Sequence, residues 1–286
     1  MIDPEVLEAL DDDLLEPYKE TILASAKPAV SIALTHQDKG LTLWQSKVGG
    51  DPYLPKGADY PRHPDGHALT LLAQINFAEV PKLPDFPEKG ILQFFIDGTD
   101  EDECYGMNWD NQREQTGFRV VYYADVLENI DDLVTDFSPY AVENREYGLP
   151  FVGQYSMAFQ LGKQVLTTAD FHWSRLLGFP EFCSEEWDNL DEEEEQGLYE
   201  VIEYYSDNID ETGHRLGGYP HFTQDDPRAY KDAVIQDYIL LFQIDTDWED
   251  GKEIMWGDGG VANFFIHPDD LKNLDFSKVL YTWDCC

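Results

Sequence analysis

Basic side chains are scarce. The chain of 286 residues carries 19 Lys and Arg against 58 Asp and Glu, so 19 − 58 gives a formal net charge of −39. Such a charge repels phosphates, which excludes non-specific binding to nucleic acid or to an anionic membrane surface. Long apolar runs are missing as well: the longest are strand-sized, far short of the ~20 residues a membrane helix needs. The opening Met1-Ile2-Asp3-Pro4-Glu5 is acidic rather than cationic and then apolar, which predicts no secretory leader and a cytoplasmic protein. Cysteine is limited to Cys104, Cys183, Cys285 and Cys286, without the spacing of a metal knuckle. The vicinal pair at the end is too close for a relaxed mutual disulfide, so reduced thiols are expected. Neither a Gly-x-Ser-x-Gly elbow nor a Gly-Lys-Ser/Thr phosphate loop occurs. No catalytic residue, metal ligand or cofactor is therefore assigned, and the balance leans away from an enzyme.

What is present is a core-forming composition, 42% hydrophobic and 14% aromatic, enough to exclude global disorder. The chain also reads as two similar halves. Lys47-Val48-Gly49-Gly50, Leu71-Leu72-Ala73-Gln74-Ile75-Asn76 and Gly90-Ile91-Leu92-Gln93-Phe94-Phe95-Ile96 are matched by Arg215-Leu216-Gly217-Gly218, Leu240-Leu241-Phe242-Gln243-Ile244-Asp245 and Gly260-Val261-Ala262-Asn263-Phe264-Phe265-Ile266. The offsets are 217 − 49 = 168, 243 − 74 = 169 and 265 − 95 = 170, the pattern of an internal duplication. The two Leu-Leu-x-Gln-Ile and the two Phe-Phe-Ile segments, short, apolar and bounded by Gly, Pro and Asp, predict strands buried on both faces or packed between layers, with further strands at 118–123 and 278–283, and the tandem glycines predict turns ahead of the Leu-Leu strands. Helices are predicted from Pro17 to about Ala26, along Val126, Ile130, Leu133 and Val134, and along Leu198, Val201, Ile202, Tyr205 and Ile209. The expected fold class is α+β: strand-rich, mainly antiparallel sheets from two similar halves, with a few peripheral helices. The expected organisation is an N-terminal helical segment at 1–26, a first half at 27–140, a connection at 141–195 and a second half at 196–286, in one compact globule.

Four kinds of candidate site follow. Between Glu185 and Glu211 lie thirteen acidic residues and no basic one, including Glu192, Glu193, Glu194 and Glu195. This tract is either a solvated face or a surface for a basic protein partner. Gln74 and Gln243 each place an amide inside an apolar strand, where it must either bridge neighbours or line a cavity. Trp256 and Asp258, in Met255-Trp256-Gly257-Asp258-Gly259-Gly260, form either a ligand loop or a tight hairpin. Asp245-Thr246-Asp247-Trp248-Glu249-Asp250-Gly251 alternates oxygen ligands but has Asp250 at the sixth position and Trp256 at the twelfth, which rejects an EF-hand. His63 and His67 are separated by Pro64 and Gly66, so they cannot share a helix face and are assigned to a surface turn.

Taken together, Ser46-Lys47-Val48-Gly49-Gly50-Asp51-Pro52-Tyr53-Leu54-Pro55, Leu72-Ala73-Gln74-Ile75-Asn76, Gly90-Ile91-Leu92-Gln93-Phe94-Phe95, Leu241-Phe242-Gln243-Ile244-Asp245, Met255-Trp256-Gly257-Asp258 and Phe264-Phe265-Ile266 resemble the YwqG-like family of bacterial proteins, a domain of unknown function (DUF1963). The resemblance runs from about Lys27 to the C-terminus. It implies a bacterial cytoplasmic protein and carries over no catalytic residue. The association of some members with secreted-toxin genes suits an immunity-like binding role. The expectation is thus a non-enzymatic acidic protein that binds a basic protein partner. The alternative is a small-molecule binder or cryptic enzyme with Gln74, Gln243, Trp256 and Asp258 in a cleft between the halves.

Overall fold

Alternation sets the central strand. In β1, Lys27–His36, the side chains of Val30, Ile32 and Leu34 are buried while Ser31, Ala33 and Thr35 are exposed, the period-two pattern of a sheet wet on one face. The structure, a computed structural model, describes residues 1–99, 104–142, 148–180, 184–209, 212–230 and 233–285. Its other strands are β2 (Lys47–Val48), β3 (Thr70–Asn76), β4 (Ile91–Ile96), β5 (Phe118–Tyr123), β6 (Tyr155–Gln164), β7 (His214–Gly217), β8 (Ile239–Asp245), β9 (Val261–Ile266) and β10 (Leu280–Asp284). All ten form one antiparallel sheet in the order β10-β9-β8-β7-β1-β6-β2-β3-β4-β5. Replacing each strand by the one five places along turns this order into its own reverse. β1 therefore lies between β6 and β7, and β6 between β1 and β2. β6 falls within the stretch expected to be a connection, and β1 and β6 together form the middle of the sheet.

β4 and β9 are buried at every residue, as their unbroken apolarity predicts. Leu92, Phe94, Ile96, Ala262, Phe264 and Ile266 face the main core, whereas Ile91, Phe95 and Phe265 face three smaller clusters on the outside. Phe94 sits 4.9 Å from Phe242 and 4.7 Å from Phe264, ring centre to ring centre, so the two arms of the sheet fold onto each other. The arms also meet at their ends. Phe118 and Tyr281 pack at 5.1 Å, Tyr281 N donates to Gln112 O, and Trp283 Nε1 donates to Cys104 O. The result is a nearly barrel-shaped sheet. Both arms carry the same irregularity: the β3–β4 register shifts between Leu71 and Ala73, and the β8–β9 register between Leu240 and Phe242. Each bulge brings a polar pair into line immediately after it, Gln74 opposite Gln93 and Gln243 opposite Asn263.

Helices lie outside the sheet. A 3₁₀ turn at Glu16–Tyr18 leads into a helix at Lys19–Ala24, and a further short helix spans Pro4–Ala9. These pack through Leu10, Leu15 and Ile22 on the longest helix, Glu192–Asn208, which contributes Val201 and Tyr205. The helix predicted along Val126 to Val134 is not formed. Only a 3₁₀ turn at Ile130–Asp132 exists, with Leu133 extended and bridged to Pro55. The reason is tertiary: Val134 N donates to Leu54 O and Lys56 N to Asp132 O, so the backbone bonds a helix would use internally go to the 54–56 loop.

Candidate functional site

Each arm buries a row of three polar residues across neighbouring strands. In one arm Lys47, Gln74 and Gln93 stand side by side on β2, β3 and β4; in the other Arg215, Gln243 and Asn263 stand on β7, β8 and β9. Gln74 has no accessible surface and uses all its hydrogen-bonding capacity. Its Oε1 accepts from Tyr53 N and Gln93 Nε2, both at 2.7 Å, and its Nε2 donates to Leu43 O and Gln45 O. Gln243 Oε1 accepts from His221 N, and its Nε2 donates to Gly213 O. Gln93 and Asn263 complete the arrangement by donating to Tyr53 O and His221 O. The cations serve the same loops: Lys47 Nζ donates to Thr42 O and Asp51 O at 2.8 Å, and Arg215 donates to Tyr219 O and Thr212 O. Burial pushes the Lys47 ammonium down to about 8, against the pull of Asp51 and Glu79. These amides fasten the 42–53 and 212–221 loops to the sheet.

Trp256 is fully buried, edge-on to Tyr105 at 5.5 Å and tilted against Trp283 at 5.9 Å, while Asp258 is exposed at the tip of the turn. The turn enters β9 through Gly260, where a Cβ would come within 1.8 Å of Asp284 O on β10. Gly90 does the same at β4, where a Cβ would lie 2.6 Å from Tyr123 O on β5. Gln74, Gln243, Trp256 and Asp258 are thus not gathered around one space, and the seam between the arms is filled by Phe94, Phe242 and Phe264. None of the four lines either of the two cavities below.

The acidic tract behaves differently. Ser184 caps a helix at Glu185–Asp188, and Asp191 caps Glu192–Asn208 through a capping box with Glu194. Four glutamates in the first turn complement the helix dipole. Glu192, Glu193 and Glu194 are exposed and Glu195 is half-buried. Among the described residues none of the four pairs with Lys, Arg or His. The N-terminal segment extends this face, because Asp12 and Glu8 stand beside Tyr204 and, after desolvation, raise its hydroxyl above the usual range. Asp210 and Glu211, at the end of the tract, lie outside the described residues, as do Cys183 and Cys286; Cys285 is a half-buried free thiol.

Two constellations depend on contacts that the sequence does not disclose. One is a buried ion cluster under β8 and β9. Arg228 donates to Asp226 and, at 2.9 Å, to Asp170, and lies over the Phe265 ring at 4.6 Å. Burial alone would raise Asp170, yet the His172 hydrogen bond and the Arg228 charge hold it far below the carboxylate range. The other is the turn Arg62–Ala68. His63 and His67 do occupy a surface turn, closed by the Arg62–Ala68 bridge and by His63 N donating to His67 O. The turn stacks the two imidazoles at 4.7 Å with 13° between their planes. Asp65 Oδ1 lies 3.1 Å from His63 Nδ1 and 2.6 Å from His67 Nδ1. His67 Nε2 meets Asp97 Oδ2 at 3.0 Å, and Thr99 bonds both His67 and Asp97. His67, Arg62 and Thr99 line a cavity of about 390 Å³; a neighbouring one of about 430 Å³ is lined by Tyr60, Phe137 and Tyr140, and Ala141 borders both. The sequence signal for this turn was the alternation His-x-Asp-x-His, set by Pro64 and a Gly66 at φ +105°.

No helix among the described residues is long and apolar enough to cross a membrane. A family model described as Domain of unknown function (DUF1963) matches residues 46–285. No curated protein matches the chain.

Proposed function

The chain belongs to the DUF1963 family, whose description names no reaction, and from that premise we propose that it is a non-enzymatic, cytoplasmic binding protein for a basic protein partner. The observation that carries this reading is the acidic face of the Glu192–Asn208 helix, presented to solvent with no neutralising cation on Glu192–Glu195 among the described residues. A cationic nuclease or toxin is the class of partner it suits, which would make the role immunity-like. Long-range attraction speeds such an encounter and makes it sensitive to salt. The two arms are read as products of an internal duplication, supported by the shared bulge, the shared polar row and the reversal of strand order. The filled seam between the arms disfavours the small-molecule alternative.

The test uses an immobilised cationic model protein such as cytochrome c. Changing Glu192, Glu193, Glu194 and Glu195 to Gln is expected to slow association by about tenfold at low salt and to flatten its salt dependence. The control neutralises four exposed acids elsewhere, Asp38, Glu88, Asp125 and Asp269. Equal losses in the two variants would show that net charge alone, and not this face, attracts the probe.

A further inference from the structure

The geometry points to a binding site for a divalent transition-metal ion, of the Zn²⁺ class, formed by His63 Nδ1, Asp65 and His67 Nδ1 with Asp97 as the outer partner of His67. The three donor atoms lie within 4.8 Å of one another. In a tetrahedral zinc site, ligands about 2.0–2.1 Å from the ion stand about 3.3 Å apart, so Asp65 and His67, at 2.6 Å, open, and the two His nitrogens, within 4.8 Å, settle to that spacing as the ion enters. The two rings, now parallel, tilt toward each other to aim both lone pairs at it. Two imidazoles and one carboxylate suit zinc or its neighbours in the first row, and do not suit Mg²⁺ or Ca²⁺, which prefer oxygen.

Several features favour an ion over a bare turn. His67 has a carboxylate at each nitrogen, Asp65 at Nδ1 and Asp97 at Nε2. An ion on Nδ1 and a proton on Nε2 satisfy both at once, the carboxylate–histidine–metal arrangement that orients a ligand ring. Asp97 is buried and held on its other oxygen by Thr99 N and Oγ1, so this outer support is rigid. Asp65 accepts from the His67 amide, which holds its carboxylate beside the two imidazoles. Pro64 and Gly66 fix the turn that presents residues 63, 65 and 67 together. Of the three ligands, His67 also lines the cavity it shares with Arg62 and Thr99, and a fourth, non-protein ligand would complete a tetrahedron. The negative field of a chain at −39 raises the local concentration of any cation.

Titration of the full chain with Zn²⁺ by calorimetry, in millimolar Mg²⁺ to occupy scattered carboxylates, is expected to show a single tight equivalent. His63→Ala and His67→Ala should each weaken it by at least tenfold. Asp97→Asn, a change in a positioning residue, should weaken it by about ten- to a hundredfold while leaving the ligand set unchanged. Co²⁺ provides the second readout: the parent and Asp97→Asn proteins should develop visible d–d absorption of a low-symmetry nitrogen–oxygen site, and the His67→Ala protein should not. Zinc binding that survives the His63→Ala/His67→Ala pair, or a Co²⁺ complex of the parent with only the faint spectrum of the hexaaqua ion, would overturn the assignment whatever the variants' stability.

Discussion

Gln74 and Gln243 occupy equivalent places in their arms but carry different loads. Gln74 makes four hydrogen bonds from a site with no accessible surface, whereas Gln243 accepts from one amide and donates to one carbonyl. Each buried polar partner left unsatisfied costs about 1–3 kcal/mol. Gln74→Leu is therefore expected to destabilise the protein by more than about 3 kcal/mol, and Gln243→Leu by distinctly less, as read by urea unfolding. Equal effects would mean that the bonds to Leu43 and Gln45 contribute little. The sequence identified both amides as buried and obliged to find partners, because an amide in an apolar strand has no other option. It did not disclose that the partners are the loops running ahead of each strand, since Leu43, Gln45 and Tyr53 approach Gln74 only once β2 has paired with β3. The His63–Asp65–His67 turn was legible as a turn for the same local reason, Pro64 and Gly66. Asp97, which gives the turn its second carboxylate, lies thirty residues away and is brought in by tertiary structure alone.

Among the elements, the Glu192–Asn208 helix was readable from its apolar stripe at Leu198, Val201, Ile202, Tyr205 and Ile209, while its start at Asp191 is shown by the structure. The cap is complete: Asp191 accepts from Glu193 N and Glu194 N, and Glu194 returns a carboxylate to Asp191 N. Asp191→Ala should lower stability by about 1 kcal/mol, measured as a fall in the urea midpoint at unchanged slope, with partner-face charges 192–195 untouched. A change in slope instead would mean that the helix unfolds separately from the sheet. The stretch from Val126 to Val134 shows the opposite case. Its apolar spacing is helical, but Asn129 closes only one turn, and the strand-like pairing of Leu133 with Pro55 prevails. The sequence pattern does not mark β1, β2, β6 and β7 as strands. Only Tyr155 of β6 is buried and the rest of the strand is half-buried or exposed, so its side chains lack the unbroken apolarity that marked β3, β4, β8 and β9.

For the whole molecule, charge opposes compactness. Fifty-eight acids against 19 bases leave a self-repulsion that added salt screens, the Debye length falling from about 30 Å at 0.01 M to about 8 Å at 0.15 M. The melting temperature is expected to rise over that interval by at least about 3 °C, equivalent to about 1 kcal/mol for a chain of this size. A flat or falling curve in a monovalent salt would show that the acids are compensated locally. Most of the fold was legible as paired strand segments at constant offset, because the aromatic and polar pattern repeats with the sheet. The order of the strands was not, since it depends on which edges meet.

That order has a consequence for synthesis. β1 leaves the ribosome early, yet the partner for one of its edges is complete only when Gln164 has been added, and for the other only at Gly217. β2 to β5 can pair with one another as they emerge, while β1 must wait with both edges bare. The nascent chain therefore carries β1 with both edges bare until Gln164 has been added and with one edge bare until Gly217, and the acidic residues of the preceding helical segment discourage it from pairing with another copy.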